Sequence, residues 1–177
     1  MPSITRAQVL RTTSAIALSL PLLSRVAAAA VRADAGDVKL LETAVEFERA
    51  AIKAYGDGAA SGVLSAPVAA VTAQFMSDHT AHLEALVSAL QAAGQEPSEL
   101  VAALQAPSFA TEADVLNFAY TVERAAAAMY LDAVAQLRDR NLAKTIASIL
   151  GVDTAHVALL AEALSKYPAY PSGFITA

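Results

Sequence analysis

All three histidines of the chain fall beside carboxylates at helical spacing. His79-Thr80-Ala81-His82 and Asp153-Thr154-Ala155-His156 each place two donor side chains three residues apart, and residues so spaced share one face of a helix. Glu48 and Glu123 stand midway along two further apolar stripes. A lone charge on a core face is very costly, so such groups must pair with one another or with a metal ion. Imidazole and carboxylate together suit iron, manganese or zinc. The candidate metal ligands are therefore Glu48, His79, His82, Glu123, Asp153 and His156. A Gly-rich phosphate loop is absent, and no serine has a plausible triad, since every histidine is already placed in the core.

Four amphipathic segments must carry these residues. The first spans about 37–55, with Leu41, Val45, Glu48, Ile52 and Tyr55 on one face. Asp37 is its expected N-cap, and Gly56-Asp57-Gly58 its expected stop. The second spans about 65–93, with Val71, Phe75, His79, His82 and Leu86 inward and Gly94 closing it. The third begins at Thr111, which forms a capping-box-like pair with Asp114. Its inner face carries Leu116, Tyr120, Glu123, Ala127, Tyr130, Val134 and Leu137. The fourth spans about 141–165, with Ile146, Ile149, Asp153, His156, Leu160 and Ala163 inward, and Gly151 as a cost or a kink. The connection from Gly94 to Ala110 is the longest, and a short helical turn is expected at Ser98–Leu104. These segments predict an all-α, antiparallel four-helix bundle over 36–166. A tail at 167–177, with Pro168 and Pro171, cannot continue the last helix.

Composition agrees with an all-α domain. Alanine, the strongest helix former, fills 44 of 177 positions, and apolar residues reach 56% against 16% charged, the reverse of a disordered chain. The lack of cysteine excludes disulfide scaffolds, iron–sulfur clusters and thiol nucleophiles. A net charge of −5 with no basic footprint argues against nucleic-acid partners. Residues 1–35 have the layout of an export signal: Arg6 and Arg11, an uncharged run from Thr12 to Ser24, then small residues to Ala35. The run is too short to span a bilayer. Thr5 to Arg11 resembles a twin-arginine signal, with Ala7 where the second arginine belongs. The expectation is an exported protein, periplasmic or extracellular, whose mature form has no transmembrane span.

The two halves of the bundle repeat each other. Glu48-Arg49-Ala50-Ala51 with Tyr55 recurs as Glu123-Arg124-Ala125-Ala126 with Tyr130, and Thr80-Ala81-His82 recurs as Thr154-Ala155-His156 at nearly the same offset. This reads as a duplicated helical hairpin. With these residues the chain resembles the ferritin-like four-helix proteins, which hold two metal ions with one Glu on each of helices 1 and 3 and Glu-x-x-His on helices 2 and 4. Ala44-Val45-Glu46-Phe47-Glu48 through Tyr55 is similar to helix 1 of exported bacterial ferritin-like domain proteins. By that resemblance Glu48 and Glu123 take the single-glutamate positions, and His82 and His156 the histidine positions. His79 and Asp153 stand where the family carries glutamates that commonly bridge the two metals. Aspartate is one methylene shorter, and a neutral imidazole does not normally bridge two ions. Asp78 lies one step off the inner face and would replace the missing glutamate only through a local rotation or bulge.

The resemblance implies one or two bound transition-metal ions, iron foremost, with manganese or zinc as alternatives, and a ferroxidase or an oxygen- or peroxide-linked oxidase activity. The departures point to one tightly held ion near His79 and His82. The competing reading is a non-catalytic helical envelope protein that keeps the fold with a degenerate metal site. Tyr55 and Tyr130, two turns past the glutamates, have three possible roles: hydrogen bonding to the ligands, redox chemistry or core packing.

Overall fold

A computed structural model describes residues 34–166. The expected leader, but for its last two residues, and the tail at 167–177 lie outside that range. The described residues form four helices: α1 (Ala35–Ala60), α2 (Ala66–Ala92), α3 (Glu112–Gln136) and α4 (Arg140–Ala163). α1 packs mainly on α2 and α3 on α4, so the bundle is two antiparallel hairpins laid against each other.

Local chemistry sets the helix ends. Thr111 accepts from the Asp114 backbone N–H at 3.2 Å, and Asp114 accepts from the Thr111 N–H at 2.8 Å, closing the expected capping box. Gly94 follows α2 with φ +74°, a left-handed conformation that costs glycine nothing. Asp139 caps α4, accepting from the N–H groups of Asn141 and Leu142.

Three local expectations are corrected. The N-cap of α1 is Asp34, which accepts from the Gly36 N–H at 2.9 Å. Asp37 lies one turn inside the helix, buried, and accepts instead from the backbone N–H groups of Arg138 and Asp139 at 2.9 Å each. It thereby ties the start of α1 to the α3–α4 turn. Gly56-Asp57-Gly58 does not stop α1, which continues to Ala60. A Cβ on Gly58 would meet Val115 Cγ1 at 2.9 Å, so this glycine lets α1 approach α3 closely. Finally, residues 95–110 contain no helix. Arg49 holds this connection down, donating to the Ser98 carbonyl and pairing with Glu99 at 3.2 Å, while the Ala102 N–H donates to the Glu46 carbonyl.

The core has two apolar parts. The larger gathers Leu41, Val45, Leu86, Leu90, Tyr130, Ile146 and Ile149; the smaller gathers Tyr55, Phe75, Ala119 and Leu160. α4 is long and apolar enough to cross a membrane by length and composition alone. In the bundle its apolar face, Ile146, Ile149 and Leu160, packs into this core. Gly151 sits on its exposed side, and the helix continues across it.

Candidate metal centre

Each helix delivers polar side chains to the interior at the same level. Glu48, His79, Glu123 and Asp153 have no exposure, His156 has 3% and His82 has 8%. All six candidate ligands thus converge inside the bundle. Ligating atoms of His79, Glu123, Asp153 and His156 lie within 4.8 Å of one another, as do those of Glu48, His79 and His82.

His79 occupies the middle. Its Nδ1 is 2.7 Å from Glu48 Oε2 and its Nε2 is 2.9 Å from Glu123 Oε1. Ionised carboxylates only accept, so each contact uses an N–H of the ring. The tyrosines cross between the hairpins: Tyr130 donates to Glu48 Oε1, and Tyr55 donates to Glu123 Oε1. His156 places Nδ1 3.3 Å from Glu123 Oε2 and Nε2 3.2 Å from Asp78 Oδ2. Phe75 stacks on the His156 ring, with centroids 3.8 Å apart.

Three buried atoms have no hydrogen-bond partner among the described residues: His82 Nδ1 and both carboxylate oxygens of Asp153. His82 Nδ1 faces Glu48 Oε1 at 3.5 Å and Asp153 Oδ1 at 3.7 Å. Buried polar atoms are nearly always satisfied, so unpaired lone pairs of nitrogen and oxygen type gathered here fit a cation.

The ionisation of the groups follows from burial and from their neighbours. Burial pushes the Asp153 carboxyl up, and the nearby Glu123 charge adds to this, taking it to about 8. Burial also works against charge on Glu123, but hydrogen bonds from His156 and His79 outweigh it and hold Glu123 at about 2. Glu48 is lowered in the same way, its burial offset by His79 and His82. Burial opposes a charge on His79, yet the hydrogen bonds to Glu123 and Glu48 raise it to about 11. For His156, Asp78 and Glu123 overcome burial and raise it to about 9. Both buried tyrosines are raised, by desolvation and then by the adjacent glutamate charge.

Some of this was not readable from sequence. Asp78 neither rotates inward nor bulges; it remains half-buried and grips the outer nitrogen of His156. A carboxylate behind a histidine fixes the tautomer and presents the other nitrogen to the centre. Only its position beside His79 could have signalled this. Tyr55 and Tyr130 each pair with the glutamate of the opposite half, which chain spacing alone could not distinguish from core packing.

Comparison with known proteins agrees with this geometry. No curated protein matches the sequence. Among solved structures, the bundle is similar to a conserved hypothetical protein from Mycobacterium tuberculosis, with a TM-score of 0.67 and 20% identity, covering 78% of this chain and 96% of that one. It is also similar to a ferritin-like, diiron-carboxylate protein from Bacillus anthracis, with a TM-score of 0.62 and 19% identity, covering 72% of this chain and 94% of that one. At such identities the likeness establishes the fold. The model of the ferritin-like domain matches residues 36–166, the whole four-helix unit with its buried polar layer, and the chain belongs to the ferritin-like domain family.

Proposed function

We propose that this chain is an exported ferritin-like protein that holds transition metal inside its bundle, with iron as the foremost ion and manganese or zinc as alternatives. The observation that carries the reading is the set of unpartnered buried atoms, both Asp153 carboxylate oxygens and His82 Nδ1, the latter facing Glu48 Oε1 and Asp153 Oδ1. When bound, iron would supply electron exchange with oxygen or peroxide, which is the basis for a ferroxidase or related oxidase activity. The chain's own contribution is positional. Tyr130 and Tyr55 orient Glu48 and Glu123, Asp78 orients His156, and the apolar clusters keep bulk water from the polar layer. The signal-like layout of residues 1–35 supports export, and the repeated motifs with their crossed Tyr–Glu contacts support descent from a duplicated hairpin.

A second reading is a non-catalytic helical envelope protein with a degenerate site. It is favoured by one observation: His79 already joins Glu48 and Glu123, so part of the polar layer is satisfied without metal. Elemental analysis of exported protein purified without chelator separates the two. Metal at about one equivalent or more supports the first reading. No metal, even after addition of Fe²⁺, Mn²⁺ or Zn²⁺, overturns it in favour of the second.

A further inference from the structure

The groove between α1 and α3 holds a cavity of about 310 Å³ outside the polar layer. Ala44, Tyr130 and Ala133 form its buried base, and the half-buried Leu40 and Met129 its walls. Thr43, Asp132 and Gln136 stand exposed at the mouth. Most donors here are already used. Thr43 Oγ1 donates to the Lys39 carbonyl at 3.0 Å, Gln136 Nε2 to the Asp132 carbonyl at 3.1 Å, and the Tyr130 hydroxyl to Glu48. What remains is mainly acceptor: the Thr43 lone pairs, Gln136 Oε1 and the Asp132 carboxylate, which has no partner among the described residues. No basic side chain lines the cavity among those residues.

The sequence repeat supplies a counterpart at the other end of the bundle, matching Leu40 with Val115, Ala133 with Gly58 and Asp132 with Asp57. There the space between α1 and α3 is closed: a Cβ on Gly58 would lie 2.9 Å from Val115, and Phe109 packs on Phe118, the counterpart of Thr43, with ring centroids 5.7 Å apart. The groove left at that end lies between α1 and the 95–110 connection. Asp57 is paired with Lys53 at 2.6 Å, whereas Ala128 stands in the equivalent place before Asp132. Of two related positions, one is packed and neutralised, and the other is open with free acceptors.

We propose that the α1–α3 cavity binds a small neutral phenol, its ring against Leu40, Met129 and Tyr130 and its O–H directed at the Asp132 carboxylate. The volume lies at the small end of the range for ligand pockets and suits one ring. The Met129 thioether makes a favourable contact with an aromatic face. An anion would meet Asp132 with no cation to offset it. A cation gains little at an exposed mouth, where an ion pair is weak. A seated ring lies one side chain from Glu48, through Tyr130. The site stands apart from the metal-binding reading, since no candidate metal ligand lines it.

The test uses the full chain with ¹³C-methyl methionine, treated with chelator, and phenol as the probe. The Met129 methyl, assigned through Met129→Leu, shifts with a dissociation constant of about 1 mM or tighter, and the Met76 methyl does not. Toluene, with a methyl of similar size in place of the hydroxyl, binds about tenfold more weakly. Asp132→Ala weakens phenol by about tenfold and leaves toluene unchanged. Ala133→Leu fills the cavity and abolishes binding of both; if that variant does not fold, Asp132→Ala at the exposed mouth decides. The proposal is overturned by a Met129 signal that stays fixed up to about 10 mM phenol, by toluene binding as tightly as phenol, or by phenol binding unchanged in Asp132→Ala. Because binding is read without metal, failure here leaves the metal-binding reading standing, and a protein that takes up no metal leaves this result standing.

Discussion

The hydroxyl of Tyr130 donates to Oε1 of Glu48, 82 residues earlier in the chain, with both side chains fully buried. The contact joins the two hairpins through an ionised acceptor. Tyr130→Phe keeps the ring and removes only the donor. It should cost about 1.5–3 kcal/mol, the range for hydrogen bonds to charged groups. Urea unfolding with an unchanged slope checks this; a loss below about 0.5 kcal/mol would mean that the hydroxyl contributes little.

Asp37 supports the fold at the opposite end of α1 from Tyr55. Its carboxylate satisfies the N–H groups of Arg138 and Asp139. Asp37→Ala leaves both without that acceptor and should destabilise by about 2–3 kcal/mol. Metal stoichiometry should not change, because Asp37 belongs to the α3–α4 turn and not to the polar layer. Elemental analysis beside the unfolding curve tests both halves of the statement.

Two glycines of α1 should respond in opposite directions to the same substitution. Nothing lies within 4 Å of a Cβ built on Gly56, so Gly56→Ala should stabilise by about 0.5–1 kcal/mol. Gly58→Ala drives a methyl into Val115 and should destabilise by about 1–3 kcal/mol. Thermal melts of the pair give the answer, and equal shifts would contradict the close α1–α3 approach.

The metal-free protein should be most stable in mildly acidic solution. Asp153, His156 and His79 have folded-state values raised to about 8, 9 and 11. A raised group contributes fully below its unfolded value, 3.8 for Asp153 and 6.5 for the histidines, and the contribution is lost as pH rises through the folded value. Glu123 is lowered to about 2, so its contribution is full above 4.5 and is lost as pH falls towards 2. Between these limits the histidine and glutamate contributions are complete. The melting temperature of chelated protein should therefore fall from pH 6 to pH 9; a rise over that interval would contradict these ionisation states.

His79→Glu restores the Glu-x-x-His spacing on α2 and replaces a positive ring with a fourth carboxylate. Metal uptake should rise from one equivalent towards two, and Fe²⁺ oxidation should exceed that of wild type. A wild type that already holds two irons, with slower oxidation in the variant, would identify the imidazole as a working ligand.

The helices, most of their inward faces and the convergence of Glu48, His82, Glu123 and His156 were legible in the sequence because apolar periodicity and burial cost act locally and strongly. The exceptions are Ala163, which is exposed at the end of α4, and Leu116 and Tyr120, which are half-buried while Val115, Ala119 and Val122 take the core positions of α3. The capping box at Thr111 was legible for the same reason. What escaped depended on partners distant in the chain. Gly58 looks like a helix stop until Val115 is seen against it. Asp37 looks like a cap until the α3–α4 turn is placed beside it. The segment Ser98–Leu104 reads as a helical turn, but Arg49 and the Glu46 carbonyl tie it to α1 without helix. Asp78 lies off the inner face, and its function is defined only by the approach of His156 from another helix.

The crossed tyrosines have a consequence for how the chain reaches its native state. Each helical hairpin can form from neighbouring sequence, but neither contains both members of a Tyr–Glu pair: Tyr55 waits for Glu123, 68 residues away, and Tyr130 for Glu48. Contacts at such separations close late, after the local helical contacts have formed. Within one hairpin each glutamate already meets a histidine, Glu48 with His79 and Glu123 with His156, but each tyrosine hydroxyl lacks its carboxylate, so the crossed pairs close only when the hairpins dock. The centre therefore cannot be assembled by halves, and its ring-nitrogen and tyrosine signals report completion of folding as a whole.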